Sequence, residues 1–180
     1  MPNYRRTYLQ GGTCFFTVVC YDRQSFLKEE AAIKLLRHCF IQTMNKYPFK
    51  VDAMVILPDH LHTIWTLPDD DCDYSTKWKI IKATFSRHYN VHDTGNISES
   101  MLRKKEKGIW QRRFWEHLIG DQEDFNRHCD YIHYNPVKHG LVKLPLDWKF
   151  SSFRKFVEKG IYPHDWGQSP TRQVIEMDIE

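Results

Sequence analysis

Asp59-His60-Leu61-His62-Thr63-Ile64-Trp65 holds the side chains whose types and spacing speak most directly of chemistry. It follows an apolar run, Ala53-Met54-Val55-Ile56-Leu57, that breaks at Pro58. Side chains alternate across a strand, so His60 and His62 project from one face with Ile64 next in the row. Two imidazoles side by side make half of a metal site. The chain has ten histidines, and an isolated His-x-His on a strand is more often a half-buried surface pair. The motif therefore needs a second feature before it means chemistry.

That feature is Asp130-Tyr131-Ile132-His133-Tyr134-Asn135-Pro136, on a helix that the pattern starts at Asp121. Phe125, Cys129 and Ile132 recur at helical spacing and are expected to face a sheet. At about 3.6 residues per turn, Asp124, His128, Tyr131 and Asn135 form a separate stripe on that helix, which predicts Tyr131 beside the core rather than in it. Without chemistry, such a tyrosine would anchor the helix by its hydroxyl, and Asn135 before Pro136 would end it.

The elements that must bring these stretches together can be read in order. Gly11-Gly12 precede Thr13 to Tyr21, apolar on both faces as a central strand would be. Ile33, Leu36, Phe40 and Met44 predict a helix over 29–47, ended before Pro48. Residues 50–57 and 60–67 read as two strands, with acidic Asp69-Asp70-Asp71-Cys72-Asp73 after them as a solvated turn. Ser75 then reads as the cap of a helix over 76–89 carrying Trp78, Ile81 and Phe85. Residues 91–108 lack periodicity and read as a loop with a basic end, and 110–119 as a strand. The order β-α-β-β-α-β followed by a helix is that of a ferredoxin-like α+β domain, an antiparallel sheet of four to five strands with helices on one face.

Length and composition agree with a single domain over 1–180, its core at about 5–160 and a tail from about 161. Apolar runs fall far short of the ~20 residues of a membrane span, and the N-terminus has no signal-peptide core, so a cytoplasmic location is expected. The five cysteines contain no C-x-x-C pair, and most are expected to act as small core hydrophobes. Formal net charge is +3, although Glu176 to Glu180 carry three acids and no base. A basic body suits a polyanionic partner, and the acidic tail could compete with it.

Taken together, these stretches resemble the single-tyrosine HUH transposases, and within them the REP-associated tyrosine transposases. The resemblance runs through Tyr4-Arg5-Arg6, Gly11-Gly12, Leu57-Pro58-Asp59-His60-Leu61-His62 and Trp65-Thr66-Leu67-Pro68. It continues through Trp110 to His117, Asp130-Tyr131-Ile132, Asn135 to Val142 and Trp148 to Phe153. It implies an HUH fold related to the RRM, with His60 and His62 as the HUH pair, Tyr131 as a nucleophile carried on a helix, and Asn135 as third ligand of Mg²⁺ or Mn²⁺. Many transposon-borne relatives have glutamine in that third place. The resemblance further implies cleavage and rejoining of single-stranded DNA beside REP-type hairpins through a 5′-phosphotyrosine, by a nucleoid-associated monomer, with a dimer as the alternative.

The chemistry suits the residues. A tyrosine hydroxyl, with a pKa of about 10, is a poor nucleophile at neutral pH and needs a positioned Lewis acid. One phosphodiester replaces another, so no nucleotide cofactor is needed, and no phosphate loop is found. A tyrosine on a helix cannot reach into a stacked duplex, which favours single strands. Trp110, Arg112, Arg113, Phe114 and Trp115 offer stacking and phosphate contacts, with Arg5, Arg6, Lys138, His139, Arg154 and Lys155 as further candidates. The competing readings are a catalytically silent hairpin-binding module and a metal hydrolase without covalent catalysis.

Overall fold

The computed structural model describes residues 8–90, 97–103 and 106–168. Arg5, Arg6, part of the 91–108 stretch and the acidic residues 176–180 lie outside them. The architecture is the expected α+β one. Strands β1 (Thr13–Val19), β2 (Lys50–Ile56), β3 (His60–Thr66) and β4 (Trp115–Leu118) form an antiparallel sheet in the order β2-β3-β1-β4.

Helices α1 (Glu30–Lys46) and α2 (Tyr74–His88) pack on each other against one face. The long helix α4 (Gln122–Lys138) meets β2 and β3 from the opposite face. Helices therefore cover both faces of the sheet rather than the one face expected from sequence, which explains why β1 and β3 read as nearly continuous apolar runs. From β1, Cys14, Phe16 and Val18 enter the α1/α2 core, while Phe15 enters the α4 core. From β3, Leu61 and Trp65 face α1 and α2, and Ile64 faces α4, so the alternation expected for the His60-His62-Ile64 row holds. Trp65 anchors the larger core, stacked on Trp78 at 4.2 Å and packed on Phe49 and Phe16. Cys14, Cys20, Cys39 and Cys129 are buried.

Several local expectations change in three dimensions. The strand expected over 110–119 is confined to Trp115–Leu118, and the 91–108 stretch holds a short helix, α3 (Glu99–Arg103). The acidic turn is not merely solvated. Asp73, rather than Ser75, caps α2 by accepting from the Thr76 amide, and Asp71 pairs with Lys77, whose side chain is buried. Helix α4 does start after Asp121, whose carboxylate caps it, but it passes through Pro136 instead of stopping at Asn135. Past α4, the chain turns through α5 (Phe153–Glu158). The segment leading into it runs along β2: the Ile56 amide donates to Phe150, the Ser152 amide to Met54, and the Trp148 indole to the Ile56 carbonyl. One edge of the sheet is thereby sealed.

Burial works to raise the Asp71 pKa, but its hydrogen bonds to Lys77 and to backbone amides outweigh this and hold it below the ordinary 3.8. The unfolded carboxyl binds a proton first, so the pair's contribution is complete above that value and lost as pH falls. At neutral pH Asp71→Ala is expected to lower unfolding free energy by about 3 kcal/mol, because it strands a buried ammonium, whereas Lys77→Met costs less. Urea unfolding of the two variants decides this. Equal midpoints for Asp71→Ala and wild type would mean that the pair holds nothing in place.

Candidate functional site

His60 and His62 sit side by side on β3, both buried, with ring centroids 4.9 Å apart and planes at 82°. Neighbouring groups orient each ring through Nδ1. His60 Nδ1 donates to Asp59 Oδ1 at 2.6 Å, and Asp59 in turn accepts from Arg23 at 3.3 Å. His62 Nδ1 lies 2.9 Å from Thr17 Oγ1, which faces it directly across the β1–β3 ladder. With Nδ1 as the proton donor in each ring, Nε2 carries the lone pair, the tautomer a metal ligand requires. Burial acts to raise the Asp59 pKa, yet hydrogen bonds from His60 and Arg23, with the Arg23 charge, hold it below its ordinary value. A carboxylate behind His60 makes that imidazole a stronger electron donor.

Helix α4 lays its polar stripe against this pair. The Tyr131 ring stands 5.2 Å from His62 and 6.1 Å from Phe15, and the His139 ring, at the helix C-cap, stands 5.1 Å from His60. Asn135 lies one turn from each, so it falls between them on the same stripe. Its side chain is 0% exposed, and neither amide atom has a hydrogen-bond partner among the described residues. Leaving such a group unsatisfied costs about 1–3 kcal/mol, so a buried, unsatisfied amide beside two oriented imidazoles fits a divalent cation well. His60, His62 and the Asn135 oxygen are the residues that would hold it. Lys138 Nζ lies 5.1 Å from the Tyr131 ring centre, a positive charge near the tyrosine.

Tyr131 departs from expectation in one respect: at 1% exposure it is part of the second core, not beside it. Tyr134, the other tyrosine of the stretch, packs instead toward Trp166, off the stripe. Among the DNA-contact candidates, Trp110 is only 7% exposed and packs on Phe26 and Phe85, so its indole belongs to the core and cannot stack on a base. Arg113, Lys138, His139 and Arg154 are exposed. Arg112 is held by Glu106 and Ser100, and Arg154 donates to the Leu146 carbonyl.

A second polar cluster, not singled out from sequence as a unit, lies at the start of α4. Asp124 accepts from His117 Nε2 at 2.7 Å, from the Gly120 amide at 3.0 Å and from Arg127 at 3.2 Å, with His128 Nδ1 at 3.1 Å. His117, Asp124 and His128 are close enough to share a cation. Their arrangement argues against it. The imidazoles are stacked within 16° at 4.6 Å, so their in-plane lone pairs occupy nearly parallel planes and do not converge. Arg127 already supplies a fixed positive charge, and the cluster reads as a clamp on Asp124. Sequence reasoning also missed Thr17, Asp59 and Arg23. Asp59 adjoins the histidine pair and could have been suspected, but Thr17 and Arg23 become visible through strand register and a turn.

The family described as "Transposase IS200 like" matches residues 2–135. A REP-associated tyrosine transposase of Escherichia coli K12 is 44% identical over 171 residues, covering 95% of this chain and 94% of its own. A Haemophilus influenzae protein given the same description provisionally is 43% identical, covering 97% and 98% of the two chains. A solved structure of a REP-associated tyrosine transposase bound to a REP hairpin superposes with a TM-score of 0.77 at 41% identity, covering 96% of each chain.

If Thr17 and Asp59 orient the two imidazoles, Thr17→Val and Asp59→Asn are each expected to weaken Mn²⁺ binding by about 10-fold or more with little change in fold. Paramagnetic resonance of free Mn²⁺ during titration reads this. Unchanged affinity in both variants would mean that neither Thr17 nor Asp59 tunes a cation ligand.

Proposed function

Because the chain belongs to the IS200-like transposase family, and within it to the REP-associated tyrosine transposases, we propose that it cleaves and rejoins single-stranded DNA beside REP-type hairpins. One observation carries the reading. A tyrosine on α4 meets the face of an oriented histidine pair, and the next turn of the same helix carries a buried, unsatisfied amide. The hairpin partner is inferred from the relative solved with a REP hairpin.

Tyr131 is the nucleophile. The Tyr131 hydroxyl gives up its proton as its Oη attacks the scissile phosphorus, the new O–P bond forms as the P–O3′ bond breaks, and the leaving 3′ oxygen takes up a proton in return. The product is a 5′-phosphotyrosine with a free 3′-hydroxyl, and attack by a 3′-hydroxyl reverses the step. Mg²⁺ or Mn²⁺, bound by His60, His62 and Asn135, would supply Lewis acidity toward phosphate oxygens. The protein supplies orientation: Thr17 and Asp59 fix the imidazoles, and Phe15 and His62 fix the tyrosine ring. With Tyr131 buried, the reaction requires its side chain to swing out, or α4 to shift, as DNA enters. Lys138, His139, Arg113 and Arg154 lie on the surface as phosphate contacts, and Arg5 and Arg6 join them from outside the described residues. Among the described residues no helix is long and apolar enough to cross a membrane, and action at the nucleoid as a monomer completes the reading.

Wild type incubated with Mn²⁺ and a labelled palindrome with its flanking strand is expected to give an SDS-resistant adduct on the downstream fragment. Tyr131→Phe abolishes the adduct while retaining DNA binding, and EDTA or His62→Ala does the same. An adduct that survives in Tyr131→Phe would move the nucleophile elsewhere, Tyr134 first. No adduct with any substrate, despite tight hairpin binding, would make the chain a silent binding module.

A further inference from the structure

At the other edge of the sheet, among the described residues, β4 pairs with β1 and no strand covers its outer side. It nevertheless carries a large aromatic side chain, Trp115, at 41% exposure. An exposed indole on an open edge invites aggregation unless a partner uses it. The sheet register says which partner is near. Val55, His62, Thr17 and Trp115 face one another in turn across β2, β3, β1 and β4, so Trp115 lies in the same cross-strand row as His62. Two strand spacings separate them, about 10 Å. The Trp115 ring also meets Phe15 edge-on at 5.7 Å, and Phe15 itself packs against His62 and Tyr131.

The ring is also held in place. The His117 ring, two residues along the same face of β4, lies parallel to the Trp115 ring within 5°, centroids 6.0 Å apart, and His128 stacks on His117. Asp124 grips His117, and Asp124 is itself held by the Gly120 amide and Arg127. Asp124 and His128 are buried, with His128 packed on Phe15, whereas Trp115 and His117 remain partly open to solvent, so the clamp ties an exposed ring to the α4 core. Arg127, 53% exposed, adds a cation beside the stack.

We propose that Trp115 is the stacking platform for an unpaired nucleobase next to the scissile phosphate, with the His117–Asp124–His128 clamp keeping the indole oriented and Arg127 facing the adjoining backbone. The proposal rests on the reading of His60, His62 and Tyr131 as the cleavage site and adds to it the group that recognises the flanking strand. Bases of every kind offer a π face, so the platform sets where the strand lies rather than which base it carries. Sequence choice must come from other contacts.

The test is fluorescence anisotropy in a Tyr131→Phe background, which separates binding from cleavage. Two labelled probes are used, a palindromic hairpin with its single-stranded flank and the same hairpin with a blunt end. Trp115→Ala is expected to weaken binding of the flanked probe about tenfold and leave the blunt probe unchanged, while Trp115→Phe restores most of the loss. Replacing the flanking bases one at a time with abasic sites identifies the stacked one. At that position the Trp115 protein loses about tenfold and the Trp115→Ala protein loses nothing further. Equal affinity of Trp115→Ala and its parent for the flanked probe would overturn the proposal, as would an equal loss on the blunt probe or a full abasic penalty in Trp115→Ala. Failure of the cleavage reading shows separately, as a missing adduct in the wild-type assay, and binding of neither probe would sink both.

Discussion

The antiparallel register of β1 on β3 is the constraint on which the rest depends. Pairing Thr17 with His62 and Val19 with His60 sets the histidines toward α4 and hands His62 its orienting hydroxyl. A slip of one residue would turn both imidazoles into the apolar core under α1 and α2 and bring Leu61 and Trp65 to the site face. That slip is opposed strongly. Trp65 is locked among Phe16, Phe49 and Trp78, and its indole N–H donates to the Thr63 hydroxyl, which donates on to the Ala53 carbonyl of β2. The larger core therefore acts as the jig that aims the site, even though it touches none of the chemistry.

Across the sheet the compromise is different. The α4 core mixes Phe15, Val55, Leu57, Ile64 and Ile132 with buried His60, His62, Tyr131 and Asn135. Water is largely excluded there, which strengthens electrostatic interactions with whatever enters and penalises each polar group left without a partner. The two histidines meet this by using Nδ1 within the protein. Asn135 does not, and stability is given up there, as happens at sites kept for function rather than packing. Pro136 adds to this local departure from an ideal helix by removing one backbone donor from the last full turn of α4.

The two sheet edges also differ in a way that bears on substrate. The β2 edge is closed by the segment around Trp148 to Ser152, whose side chains and backbone both bond to the strand. The β4 edge is short and carries charged, imidazole and indole side chains, with no covering strand among the described residues. Natural sheets protect edges by one means or the other, and the β4 edge is the one that adjoins Tyr131 through Trp115 and Phe15.

Much of this was legible in the chain itself. The His60-His62 row followed from period-two alternation, and the helix bearing Tyr131 and Asn135 from period-3.6 spacing. Both periodicities are local, so sequence determines them without help. The caps and turns are less legible: the local sequence offers Ser75 as readily as Asp73 for the cap of α2, and it does not show that Trp110 is buried, because a side chain's exposure depends on segments far away that pack over it. Tertiary structure alone decided that Thr17 stands behind His62, that Asp59 and Arg23 stand behind His60, and that Asp124, gripping His117, holds Trp115 in line. It also decided that Tyr131 is buried. Each of those contacts joins residues brought together by strand register, a turn or packing between distant elements, and neither local propensity nor hydrophobic period carries that information.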